Sequence, residues 1–172
     1  IAWNPSRLFE KQVAIQHVIV ENLDIHLLPS TTETPPPPLP ESLVIPFALS
    51  IDALRVTTLR IISLENGQND NDALTISNFV LALDSSGDSH RLTSLDFSTQ
   101  WGVANASAVL NGNAPFDLSA HIELTEAHLW GDSQAIITGN LKQMDIQIGG
   151  KQSTIKREIK LQLQPFTTNP VT

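Results

Sequence analysis

The chain contains no cysteine and no tyrosine, and aromatic residues make up only 5% of it. Without cysteine there is no disulfide, no thiolate metal ligand and no thiol nucleophile. A disulfide-stapled secreted mini-domain is excluded too, though an oxidising compartment is not. With so few rings the apolar surface is aliphatic, which suits chain-like ligands or ordinary packing better than stacked rings or bases. No run of roughly 18 apolar residues occurs, and no segment reads as a signal peptide. Cations are scarce: 10 Lys and Arg stand against 18 Asp and Glu, for a net charge of −8. Lys and Arg gather only around Lys151, Lys156, Arg157 and Lys160, so a nucleic-acid partner is disfavoured. Almost no stretch has helical spacing.

What fills the sequence instead is alternation. Phe47, Leu49 and Ile51 alternate with Ala48 and Ser50, and Phe79, Leu81 and Leu83 with Val80 and Ala82. Met144, Ile146 and Ile148 alternate with Asp145 and Gln147, and Ile159, Leu161 and Leu163 with Lys160 and Gln162. A period of two places one set of side chains on one face of a strand. With 172 residues, 41% of them hydrophobic, the chain is large enough for one domain with a core and too apolar to stay disordered. An apolar sheet face without helices to cover it must meet a second sheet, a partner or an apolar ligand.

Along the chain, Asn4-Pro5 is a cap signal for one helical turn carrying Leu8 and Phe9. Residues 13–27 alternate with phase slips, as in two strands joined by a turn or bulge near Glu21-Asn22. Residues 29–42, with four consecutive prolines, read as a surface excursion between strands; a proline-motif ligand for another domain is the other reading. Strands are expected near 43–50, 53–63, 73–84, 92–99, 103–112, 115–125, 134–141, 143–149 and 154–164. Asn66-Gly67, Ser86-Gly87-Asp88, Asn111-Gly112-Asn113, Gly131-Asp132 and Gly149-Gly150 mark the turns. That makes about eleven strands, in one segment spanning residues 1–172. The weak recurrence of Leu54-Arg55-Val56, Leu74-Thr75-Ile76 and Leu92-Thr93-Ser94 favours a meandering, solenoid-like sheet. The pattern is already running at Ile1 and stops uncapped at Thr172, as in a piece of something longer.

Signals for chemistry are thin. His121-Ile122-Glu123 has half the spacing of a zinc deaminase motif, but its cysteine half is missing. His17 and His26, or His121 and His128, do not sit at helical i,i+4 spacing, so the five histidines read as polar-face residues of strands. Asn69-Asp70-Asn71-Asp72 opens like a calcium loop, yet the glycine and closing glutamate do not follow. Asp24, Asp84, Asp96, Asp117 and Asp145 fall on the polar phase, and nothing selects a catalytic pair among them. Asn105-Ala106-Ser107 fits a glycosylation sequon, relevant only in a eukaryotic secretory setting. The chain is read as no enzyme, with no metal and no cofactor.

Short motifs in a fixed order carry a resemblance. Trp3-x-Pro5-x-x-Leu8 precedes Val13-x-Ile15-x-x-Val18-x-Val20 and Leu23-x-Ile25-x-Leu27-x-Pro29. Leu43-Val44-Ile45-Pro46-Phe47 follows the prolines, and then Ile51-x-x-Leu54-x-Val56. Leu110-x-Gly112, Pro115-Phe116 and the closing Leu163-x-Pro165-Phe166-x-x-x-Pro170 complete the series. In this order they resemble the periplasmic start of the TamB family, in the AsmA-like group of bacterial envelope proteins. The resemblance implies an elongated taco- or U-shaped β-groove with an aliphatic interior and a polar exterior. It implies a periplasmic bridge that carries phospholipid toward the outer membrane, or assists assembly of outer-membrane proteins. The inner-membrane anchor is not in this sequence. Neither is the region by which the family meets its barrel partner TamA. The remaining partners implied are neighbouring groove repeats of the same protein.

The physics suits the lipid reading. Each acyl CH₂ left in water costs ~0.8 kcal/mol, so a two-chain lipid with on the order of 30 of them faces a barrier of roughly 20 kcal/mol or more. A continuous apolar trough removes most of it, and about eleven strands at ~4.8 Å each give roughly 50 Å of groove. The expected lipid-contacting residues are Val18, Val20, Ile25, Phe47, Leu49, Ile51, Phe79, Leu81, Leu83, Ile122, Leu124, Ile146, Ile148, Leu161 and Leu163. Two other readings stand beside this one. A chaperone-like module would offer a sheet edge to strands of outer-membrane proteins. A plain β-sandwich of a surface protein would close the same aliphatic face into a dry core.

Overall fold

The computed structural model of the chain describes residues 2–27, 38–63, 73–126, 131–152 and 155–165. Ten strands form one sheet whose spatial order follows the chain order. They are β1 (Ala2–Trp3), β2 (Gln12–Leu27), β3 (Ala48–Ser63), β4 (Leu74–Ser85), β5 (Ser89–Thr99), β6 (Gly102–Asn111), β7 (Asp117–Thr125), β8 (Asp132–Asn140), β9 (Gln143–Gln152) and β10 (Ile155–Leu163). Among the described residues no second sheet lies on the first, so the sandwich alternative is not what forms. The fold is an all-β open sheet with one aliphatic face, the floor of a trough that runs across the strands.

Every neighbouring pair is antiparallel except β2 and β3, which run parallel from Gln12↔Ala48 to Leu27↔Ser63. Antiparallel strands need only a tight turn, whereas a parallel pair needs a long return connection. The chain between Leu27 and Ala48 makes that return; residues 28–37, with most of the expected proline-rich excursion, lie outside the described residues. The expected turn near Glu21-Asn22 and the expected break between 43–50 and 53–63 are both corrected here: β2 and β3 are unbroken strands of 16 residues each. Their phase slips are bulges. The shared apolar phase in β2 runs Val13, Ile15, Val18, Val20, Leu23, Ile25, and in β3 Leu49, Ile51, Leu54, Val56, Leu59, Ile61, pair by pair in register.

Further bulges lie between Ile51 and Leu54, Ser77 and Val80, and Leu92 and Leu95. A bulge bends and twists its strand, so β2–β5 coil while β6–β10 pair without slips. The buried apolar residues are few: Val56 at 4% exposure, Leu59, Ile62, Ala104 and, at 0%, Phe116 of the β6–β7 loop. The expected turn at Gly149-Gly150 is also corrected. Both glycines are inside β9, paired with Glu158 and Arg157 of β10. A Cβ on Gly150 would meet the Ser133 hydroxyl at 3.0 Å, which is why β9 carries no side chain there.

Candidate functional site

Residues directly opposite each other on paired strands share a face. The registers therefore trace rows across the sheet. One row is Ile15, Ile51, Leu83, Leu92, Ala108, Ala120, Ile137, Ile146 and Leu161. The next is Val18, Leu54, Leu81, Leu95, Ala106, Ile122, Ala135, Ile148 and Ile159. Both cross from β2 to β10 without a polar residue. Leu49, Val20, Phe79, Leu124, Ile25 and Leu163 fall on the same face in flanking rows. Of the expected lining, only Phe47 lies outside the strands: it directly precedes β3 and is 39% exposed.

The opposite face is hydrophilic on the later strands. Asp84, Arg91, Asp96, Asn105, His121, Glu123, Asp145 and Gln162 occupy it. Their contacts are local: Asn105 Nδ2 donates to Asp96 Oδ1, Thr93 to Asp84 at 3.2 Å, and Gln162 to Asp145 at 3.1 Å. His121 Nε2 lies 3.0 Å from Glu123 Oε1, its half-motif partner, on this outer face. Among the described residues no three His, Asp or Glu side chains gather as metal ligands. His128 and the Asn69–Asp72 stretch lie outside the described residues.

One rim of the trough carries a strap, residues 38–47, the end of the crossover into β3. The Leu43 N–H donates to the Gly112 carbonyl and the Ile45 N–H to the Gly87 carbonyl, each at 2.9 Å. His90 Nε2 sits 2.9 Å from the Leu43 carbonyl oxygen, and His90 Nδ1 2.8 Å from Ser85 Oγ. A carbonyl only accepts, so Nε2 bears the hydrogen and Nδ1 accepts from the Ser85 hydroxyl; the Ser85 oxygen in turn accepts the Gly87 N–H at 3.2 Å. His90 pairs with Leu110 and Ser85 in the inward row that also holds Leu49. The expectation of polar-face histidines is thus corrected for His90: it faces inward, and the strap lies on the trough side of the rim. A signal was present, because His90 has the same parity as Leu92. The strap leaves no room for side chains beneath it: a Cβ on Gly112 would lie 3.2 Å from Val44 N and 3.1 Å from Asp88 O.

A family model described as the N-terminal domain of TamB matches residues 28–170. The chain belongs to the TamB family. Comparison with curated proteins and with solved structures returns no match. The matched range takes in the crossover, the strap and β3 to β10; β1 and β2 precede it, and with them the opening Trp3-x-Pro5 motif. Two of the motifs that carry the resemblance now have physical roles. Gly112 of Leu110-x-Gly112 is the close-approach point of the strap, and Phe116 of Pro115-Phe116 is, among the described residues, the one wholly buried large side chain. TamB proteins belong to the bacterial envelope. Among the described residues no helix is long and apolar enough to cross a membrane.

Proposed function

We propose that the trough shelters phospholipid acyl chains as one stretch of a periplasmic bridge between the inner and outer membranes. The two aliphatic rows running unbroken from β2 to β10, with no covering layer among the described residues, carry this reading. Ten strands at ~4.8 Å give a floor roughly 45 Å long, enough for one or a few lipids. The role is passive, a uniform lining without catalysis, since a strong local site would trap the cargo.

The test is native mass spectrometry of the chain purified from a bacterial envelope. Wild type carries phospholipid, and Leu81→Arg and Leu49→Arg lose it while remaining folded. A folded monomer that never carries lipid would sink the proposal. The strand-chaperone reading draws on a different observation, the end position of β10 in the sheet. It requires that prolines placed in β10 abolish function and that charges in the lining be tolerated.

A further inference from the structure

Large exposed apolar side chains lie at both ends of the trough, Ile159 and Leu161 on β10 among them, and are more numerous at the β2 end. Leu8 is 50% exposed, Phe9 94%, Ile19 62%, Leu23 41% and Leu27 51%. Leu23 and Leu27 are lining residues left open where the trough ends. Ile19 lies on the other phase, between Val18 and Val20, so β2 is apolar on both faces at mid-length.

Phe9 is no loose end. It sits in the short 3₁₀ helix Pro5–Glu10. Asn4 caps the start, its side chain accepting the Ser6 N–H at 3.2 Å. Lys11 closes the helix in a left-handed conformation, its N–H donating to the Leu8 carbonyl at 3.0 Å. The Lys11 carbonyl is tied to β3 by the Ala48 N–H at 2.9 Å, and Arg7 Nη1 donates to Gln12 Oε1 at 2.8 Å. Ordered backbone thus holds an aromatic and a leucine out in solvent, with Arg7 and Lys11 on either side.

We propose that this corner, Leu8 and Phe9 with Arg7 and Lys11, inserts into the headgroup layer of an anionic phospholipid membrane. It would seat the β2 end of the trough on the bilayer, so that the lining meets the acyl layer. An exposed aromatic beside basic side chains fits an interface, where the ring enters the acyl boundary and the cations stay with lipid phosphates. Arg7 and Lys11 outnumber the one carboxylate between them, Glu10, in a chain of net charge −8. The membrane is chosen over a second copy because a lipid surface accepts a single protruding ring without a matching pocket, and because the helix leads directly into the first lining residues of β2, Val13 and Ile15. This inference rests on the lipid-trough reading and adds to it the end at which lipid is exchanged.

The experiment is flotation with vesicles of phosphatidylethanolamine and phosphatidylglycerol, using wild type, a Leu8→Ser/Phe9→Ser double variant, Phe9→Leu and Leu81→Arg. Wild type, Phe9→Leu and Leu81→Arg float. The double variant loses binding about tenfold, with unchanged circular dichroism and unchanged lipid occupancy by native mass spectrometry. Equal flotation of the double variant overturns the inference. So does a wild-type dimer that the double variant abolishes in the absence of vesicles. Loss of occupancy in Leu81→Arg reports on the trough alone, so the two readings fail separately.

Discussion

His90 on β5 and Leu43 of the strap are 47 residues apart in sequence and joined by a 2.9 Å hydrogen bond from Nε2 to the carbonyl oxygen. The bond ties the crossover to the inner side of the rim. In His90→Phe the ring volume stays, but a half-buried carbonyl loses its partner. The variant is expected to be about 1–2 kcal/mol less stable, read as a lower urea midpoint at unchanged slope. The Ile45 amide should also exchange faster. Wild-type values for both would show that the strap does not depend on this bond.

Gly112→Ala tests the close approach itself. The new methyl would press on Val44 N, Asp88 O and His90 Nε2 at 3.1–3.2 Å, two of which are fixed backbone. A loss of roughly 1–3 kcal/mol is expected in thermal or urea melts. Gly149→Ala, where the nearest atom is the flexible Gln134 side chain at 3.7 Å, is the matched control and should cost less.

Ile136 and Ile137 are adjacent on β8 but face opposite ways. Ile137→Arg puts a cation in an unbroken aliphatic row and should abolish lipid occupancy. Ile136→Arg adds a charge to the hydrophilic face beside His121 and should leave occupancy as in wild type. Equal behaviour of the two variants in native mass spectrometry would contradict the assignment of the inner face.

Asn78 holds φ at 53° where β4 bulges between Ser77 and Val80. A β-branched residue is penalised there and glycine is not. Asn78→Val is expected to lower stability by about 1–2 kcal/mol, and Asn78→Gly by well under half of that. The order would invert if the bulge were lost and the strand ran straight.

The aliphatic face was legible in the sequence because period-two alternation depends only on the backbone pleat. Leu81, Ile122 and Ile148 needed no tertiary knowledge to be placed together. The slips at 21–22 and 52–53 were harder. A turn and a bulge both displace the phase by one residue, and only the partner strand tells them apart. Gly149-Gly150 has the composition of a turn but serves to clear space for Ser133. The parallel pairing of β2 with β3 left no local trace, since pairing is chosen by distant residues. His90 had an inward parity, but the atom it meets belongs to a backbone carbonyl, which no side-chain pattern records.

The single parallel pair also sets how the trough comes together. From β3 onward each strand pairs with the next one in the chain, so the meander can assemble through local steps. β2 joins only after the 28–47 return has closed, and loop closure over that distance slows its arrival. Docking of β2 is therefore expected as a step separate from formation of the meander, governed by the return and not by the tight turns.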